Sequence, residues 1–222
     1  MPQKNFLKIK RIKMDRRAAL KNLSLGLGAT IAGPSLINIL ASCSSPREGW
    51  VPTFFTPNQG EVLTRVVDVI FPVSEIPGGL DVNVPELIDV MYRDVESVDN
   101  QKTYQKGMDL FIEEFEGEMS KSIDKASTED VAVLFGTYFN LDADGQAKAK
   151  SLRYADPKDL NEADTKKHYI YNFLMSTRDY TIFGYYSSEK VGKEVLNYDP
   201  IPGGFDPCVP LDELGGKSWS LS

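Results

Sequence analysis

Two cysteines, one histidine and two tryptophans in 222 residues leave several classes of function without their chemistry. Cys43 and Cys208 form no Cys-x-x-Cys and no Cys-x-x-Cys-His pattern, so neither a disulfide framework nor covalent haem attachment is indicated. With His168 as the sole histidine, a zinc site of His and Cys ligands lacks members, and a paired-histidine site is impossible. Long apolar runs are missing too. Leu23 to Leu40 is broken by Ser24, Gly26, Gly28, Thr30, Gly33, Pro34, Ser35 and Asn38, short of the roughly 20 mostly apolar residues of a spanning helix. No segment alternates apolar and polar residues with period two for long, so strands are expected to be few and short.

Three stretches suggest chemistry and then fail on inspection. Gly26 to Gly33 has the wrong glycine spacing for a dinucleotide loop, with no preceding strand and no βαβ context. Asn140-Leu141-Asp142-Ala143-Asp144-Gly145 matches the first half of an EF-hand loop. Its twelfth position is Ser151, where a bidentate Glu is needed, and Ala147 stands at the eighth, so a polar turn ending a helix is expected instead. His168 lies in the first turns of a predicted helix, where a solvent-facing or capping role is expected. A general base would need a nucleophile and an orienting acid that the local sequence does not supply. Cys208 is expected to be a buried or half-buried thiol rather than a nucleophile.

What is present begins at the N-terminus. Lys4, Lys8, Lys10, Arg11, Lys13, Arg16, Arg17 and Lys21 face a single acid, Asp15, before the soft apolar stretch, the layout of an export signal whether translation starts at Met1 or Met14. Asp15-Arg16-Arg17-Ala18-Ala19-Leu20-Lys21 resembles a twin-arginine motif through Arg16, Arg17, Leu20 and Lys21, with Ala19 in place of the usual aromatic. Leu40-Ala41-Ser42-Cys43 resembles a lipobox, which makes Cys43 the expected lipidated residue and residues 1–42 a signal peptide. Their removal takes away eight of 25 basic and one of 32 acidic residues. The 17 and 31 that remain give a formal charge of −14, a surface that repels nucleic acid and anionic headgroups.

Residues 43–55 read as a tether whose Trp50, Phe54 and Phe55 are apolar enough to dock on the domain that follows at residues 56–222. Thr56-Pro57-Asn58-Gln59 predicts a capped helix start, continued by Val62, Leu63, Val66, Val67 and Ile70 until Phe71-Pro72. A second helix opens at Pro85 with Leu87, Ile88, Met91, Tyr92 and Val95 on its apolar face. A third carries Tyr104, Met108, Phe111, Ile112, Phe115 and Met119, and a fourth follows Ser127 and Asp130. After a polar stretch a fifth runs from about Glu162 to Tyr180, and Ser188 caps a short sixth containing Val191 and Val195. The fold class is therefore mainly α: one compact domain of five or six helices with long irregular loops and an irregular tail. That tail holds Ile201, Phe205, Val209, Leu211 and Trp219, too apolar to leave in water, so it wraps its own domain or packs on a partner.

Leu63 to Pro72, Ile76-Pro77-Gly78-Gly79-Leu80 and Val84-Pro85-Glu86-Leu87-Ile88, with Phe183-Gly184-Tyr185-Tyr186-Ser187-Ser188-Glu189, Leu196-Asn197-Tyr198-Asp199 and Pro202-Gly203-Gly204-Phe205, together resemble the small subunit, subunit 3, of membrane-associated gluconate 2-dehydrogenase. The resemblance implies a non-catalytic helical subunit without a cofactor of its own. Its implied partner is a large FAD-dependent flavoprotein of the glucose–methanol–choline type, which oxidises a sugar or sugar acid and passes electrons to a cytochrome or another acceptor. In such systems the small subunit carries the export tag and the folded flavoprotein crosses the membrane bound to it through the twin-arginine translocase. The chain would then reside on the periplasmic side, moored by lipid on Cys43. Aromatic and loop residues Phe71, Pro72, Pro77, Tyr185, Tyr186, Tyr198, Phe205 and Trp219 are the expected partner interface, unless they fill the subunit's own core. The competing reading is a stand-alone periplasmic lipoprotein that binds a carbohydrate or other ligand, which leaves the twin-arginine tag unexplained.

Overall fold

The computed structural model describes residues 50–199, 201, 203–204 and 208–220. The export residues Arg16, Arg17, Leu20, Lys21 and Cys43, and Phe205 of the tail, lie outside the described residues. Six α-helices are described: α1 Pro57–Ile70, α2 Val84–Asp94, α3 Val98–Met119, α4 Thr128–Phe139, α5 Ala143–Tyr154 and α6 Glu162–Tyr186. No strand is found among the described residues, whose one isolated bridge pairs Asn197 with Trp219. The domain is all-α. No helix among the described residues is long and apolar enough to cross a membrane.

The helix starts follow the local chemistry. Thr56 Oγ1 accepts from the Gln59 N–H while Gln59 Oε1 accepts from the Thr56 N–H, a capping box with Pro57 at the first helical position. Ser127 and Asp130 do the same for α4. The first departure from expectation is α5. Asp142, first acid of the EF-hand-like stretch, accepts the Gly145 N–H at 2.8 Å and is the N-cap of α5. The stretch ends one helix and starts another. α6 also continues past Tyr180 to Tyr186, and the expected sixth helix is a single π-helical turn, Val191–Val195, with Ser188 Oγ accepting from the Val191 N–H.

α6 is the spine of the domain. α3 packs along it, α5 and α2 lie beside it, and α1 bridges α6 and α4. The core between them is aromatic. Tyr92 and Tyr104 stack with centroids 3.9 Å apart, Phe173 sits edge-on to both Tyr104 and Phe111, and the fully buried Tyr104 hydroxyl is satisfied by Thr177 Oγ1 at 2.6 Å. His168 is buried, neither solvent-facing nor an N-cap. Its Nδ1 donates to the Leu152 carbonyl at 2.8 Å, tying α6 to the last turn of α5. Cys208 is exposed rather than buried.

Residues 50–55 lie on the helices as a strap. Phe55 is buried against Tyr92 and Tyr104, and Trp50 and Phe54 pack at the core's edge. Pro52 fills the space left by Gly60 of α1, where a Cβ would stand 2.4 Å from the proline ring. The strap's polar anchor is Asp89 of α2, which is 1% exposed. Its carboxylate accepts the N–H groups of Thr53, Phe54 and Phe55 at 2.8, 3.0 and 3.1 Å and the Thr53 hydroxyl at 2.7 Å. Arg93, one turn on, donates to that same hydroxyl.

Candidate partner interface

One end of the bundle gathers most of the residues singled out from the sequence. α1 stops at Phe71, whose N–H still reaches the Val67 carbonyl, and Pro72 cannot continue the helix. The chain folds back so that the Gly79 N–H donates to the Phe71 carbonyl at 2.8 Å, and Gly78 is held by Asp81 Oδ2 at 2.8 Å. The crossing is tight. A Cβ on Gly78 would lie 2.7 Å from the Val73 nitrogen and 2.9 Å from the Phe71 oxygen, which explains the paired glycines after Pro77.

This loop is fastened to the end of α6. The Phe71 ring stacks on Tyr185 with centroids 4.3 Å apart and meets Tyr186 edge-on at 6.1 Å, and the Tyr185 hydroxyl donates to the Pro77 carbonyl at 2.8 Å. Burial, with the neighbouring Tyr186 and Asp81, pushes the Tyr185 phenol above its ordinary value and keeps it a donor. Tyr185 itself is only 1% exposed. It belongs to the interior, where it positions Phe71, Pro77 and Tyr186, and it offers no surface to a partner.

Tyr186 points outward and shares a recess of about 260 Å³ with Tyr198, Gly192 and Ser220. The tail returns to this end: the Asn197 N–H donates to Ser218, the Ser220 N–H donates back to Asn197, and Lys217 Nζ donates to the Glu194 carbonyl. It thus wraps its own domain while leaving Tyr198 and Trp219 about half exposed. Phe71, Pro77, Tyr185 and Tyr186 are joined by contact, Pro72 stands exposed beside Phe71, and Trp219 adjoins the recess through Ser220. The same loop carries Val73 and Ile76, both exposed at its tip. Two aliphatic residues in a loop bounded by Pro72 and Pro77 have no helix face to bury them.

Removing only the Tyr185 hydroxyl isolates the fastening. Tyr185→Phe is expected to cost about 1 kcal/mol, the net worth of one hydrogen bond. Urea unfolding would measure it, and amide exchange should rise selectively at residues 73–79.

A model of the family described as gluconate 2-dehydrogenase subunit 3 matches residues 57–203, about two thirds of the chain. No curated protein and no solved structure matches. The matched span includes the loop, the end of α6 and Tyr198, and stops before Phe205 and Trp219.

Proposed function

Because the chain belongs to the gluconate 2-dehydrogenase subunit 3 family, we propose that it is the non-catalytic small subunit of a periplasmic dehydrogenase complex, binding, stabilising and co-exporting a large FAD-dependent flavoprotein. The family membership carries the reading. It is supported by the bundle end, where Tyr186 of α6 and the loop carrying Val73 and Ile76 are exposed over Tyr185 and Phe71, and where Tyr198 shares a recess with Tyr186 and Trp219 stays half exposed. Apolar anchors on a rigid base suit a protein partner, because little side-chain and loop entropy is lost on docking.

In this reading Arg16 and Arg17 address the complex to the twin-arginine translocase, which accepts folded cargo, and lipid on Cys43 moors it to a membrane. The flavoprotein holds the FAD and the catalytic residues and passes electrons to a cytochrome subunit or another acceptor. Binding only the folded flavoprotein stabilises it by mass action, so a chaperone-like effect follows from assembly.

Deleting the gene tests this. Flavoprotein activity in the periplasm is expected to be lost, and replacing Arg16 and Arg17 with lysine should retain the activity in the cytoplasm. Undiminished, correctly exported activity in the deletion strain would overturn the proposal.

A further inference from the structure

A second concavity on this domain is built differently from the apolar end. It is a groove of about 550 Å³ between the start of α3, the end of α5 and the outer face of α6, within the size range of small-molecule sites. Its two lips are aromatic and turned to solvent: Tyr154, 72% exposed, at the end of α5, and Phe183, 55% exposed, on α6. Neither ring belongs to the core, and the Arg153 guanidinium lies over the Tyr154 ring, 5.5 Å from its centroid.

Between the lips lie planar polar groups held in fixed orientations. Arg153 Nη2 donates to Asp179 Oδ2 at 2.9 Å and to Ser176, which engages one nitrogen of a guanidinium that carries five N–H donors. Glu96 accepts from the Tyr180 hydroxyl and, at 2.6 Å, from Asn100 Nδ2. Such pairs hold the carboxylates and the guanidinium in place on the groove wall, which lowers the ordering cost of binding. The charged groups lining it are Glu96, Asp179 and Arg153, a net charge of −1.

We propose that this groove binds a neutral pyranose sugar. A pyranose chair presents C–H faces to aromatic rings and a rim of vicinal hydroxyls, each both donor and acceptor, to bidentate groups such as Arg153, Asp179, Glu96 and Asn100. The negative balance selects against sugar acids. The site neither requires the flavoprotein nor depends on the partner-docking reading, so the two stand or fall separately.

Saturation-transfer NMR on the purified full-length protein, with D-glucose, maltose and D-glucuronate as probes, tests it. Glucose and maltose are expected to bind saturably, with transfer strongest at ring C–H protons. Glucuronate, a pyranose differing by its carboxylate, should bind at least about tenfold more weakly. Tyr154→Ala and Phe183→Ala should each weaken maltose about tenfold through the lost ring contact, with melting temperature unchanged because both rings are exposed. Absent saturable binding of both neutral sugars, glucuronate binding as tightly as glucose, or indifference to Tyr154→Ala would each overturn the proposal. So would a Tyr154→Ala variant that weakens flavoprotein co-purification while the sugar titrations stay blank, since the groove would then hold a partner side chain.

Discussion

Asp89→Ala is expected to destabilise the domain by about 3–5 kcal/mol and to release the strap at residues 50–55. In the native protein three backbone N–H groups and a hydroxyl converge on one buried carboxylate. Without it the strap must either stay with orphaned donors, at about 1–3 kcal/mol each, or peel away and expose Phe55 and the edge of the Tyr92–Tyr104 stack. Either route is costly, and the second is the cheaper end of the range. For a domain of this size the melting temperature should fall by roughly 10 °C, and thermolysin should gain a cleavage site near Phe54 and Phe55.

The same carboxylate gives a pH signature. Burial raises its pKa, but the bonds from Thr53, Phe55 and Phe54 outweigh burial and hold it below the ordinary value of 3.8. A carboxyl depressed in the folded state contributes stability that is fully present above its unfolded pKa and is lost as pH falls through the folded pKa. Asp89→Asn removes that contribution while keeping the shape. Its deficit relative to the native protein should be constant near neutrality and shrink below about pH 4, the range in which the unfolded carboxylate titrates.

Gly107→Ala is expected to cost about 2–4 kcal/mol, although replacing a glycine inside a helix with alanine ordinarily gains about 1 kcal/mol. At Gly107 the backbone of α3 lies directly against α6. An added Cβ would sit 2.2 Å from the Tyr169 carbonyl oxygen and 2.8 Å from the Phe173 Cβ, and backbone cannot swing aside as a side-chain end can. The helices must separate, loosening the packing of Phe173 against Tyr104 and Phe111. Gly117 of the same helix is the control, because nothing lies within 4 Å of its added Cβ. Gly117→Ala should stabilise by about 0.5–1 kcal/mol. Urea titrations of the two variants should therefore move in opposite directions, and a loss in both would mean that helix propensity does not govern position 117.

α1 and α4 were legible because their signals are local, a cap box followed by apolar residues at helical spacing. α5 was not: of its twelve residues only Ala149 and Leu152 are buried, too few to show a periodicity, and it is held by the Asp142 cap and by packing on α6. The sequence pattern places the end of α6 near Tyr180, whereas the helix runs on to Tyr186 with Gly184 under Leu87 of α2, where a Cβ would be 2.6 Å from Leu87 Cδ2. Asp89 carries no local mark of burial, and only the strap arriving from 34 to 36 residues upstream makes it a buried acceptor.

The candidate site divides in the same way. That Phe71, Pro77, Tyr185 and Tyr186 belong together was readable as a set of turns and aromatics, but which of them faces outward was not. The side that Tyr185 presents depends on a hydrogen bond to Pro77 across 108 residues, and the tail's position depends on Asn197 meeting Ser218 and Ser220. Burial of an aromatic is a property of the tertiary surroundings, so a sequence marks it as an anchor without saying whether it anchors a core or a partner.

Purification of the affinity-tagged protein from its own cells tests most directly whether this chain is a subunit. A yellow flavoprotein co-eluting at fixed stoichiometry is the predicted result, with the yield of flavin falling when Tyr186 and Trp219 are both replaced by alanine in an otherwise normally melting protein. A colourless monomer, obtained from cells that contain the active flavoprotein, would contradict it.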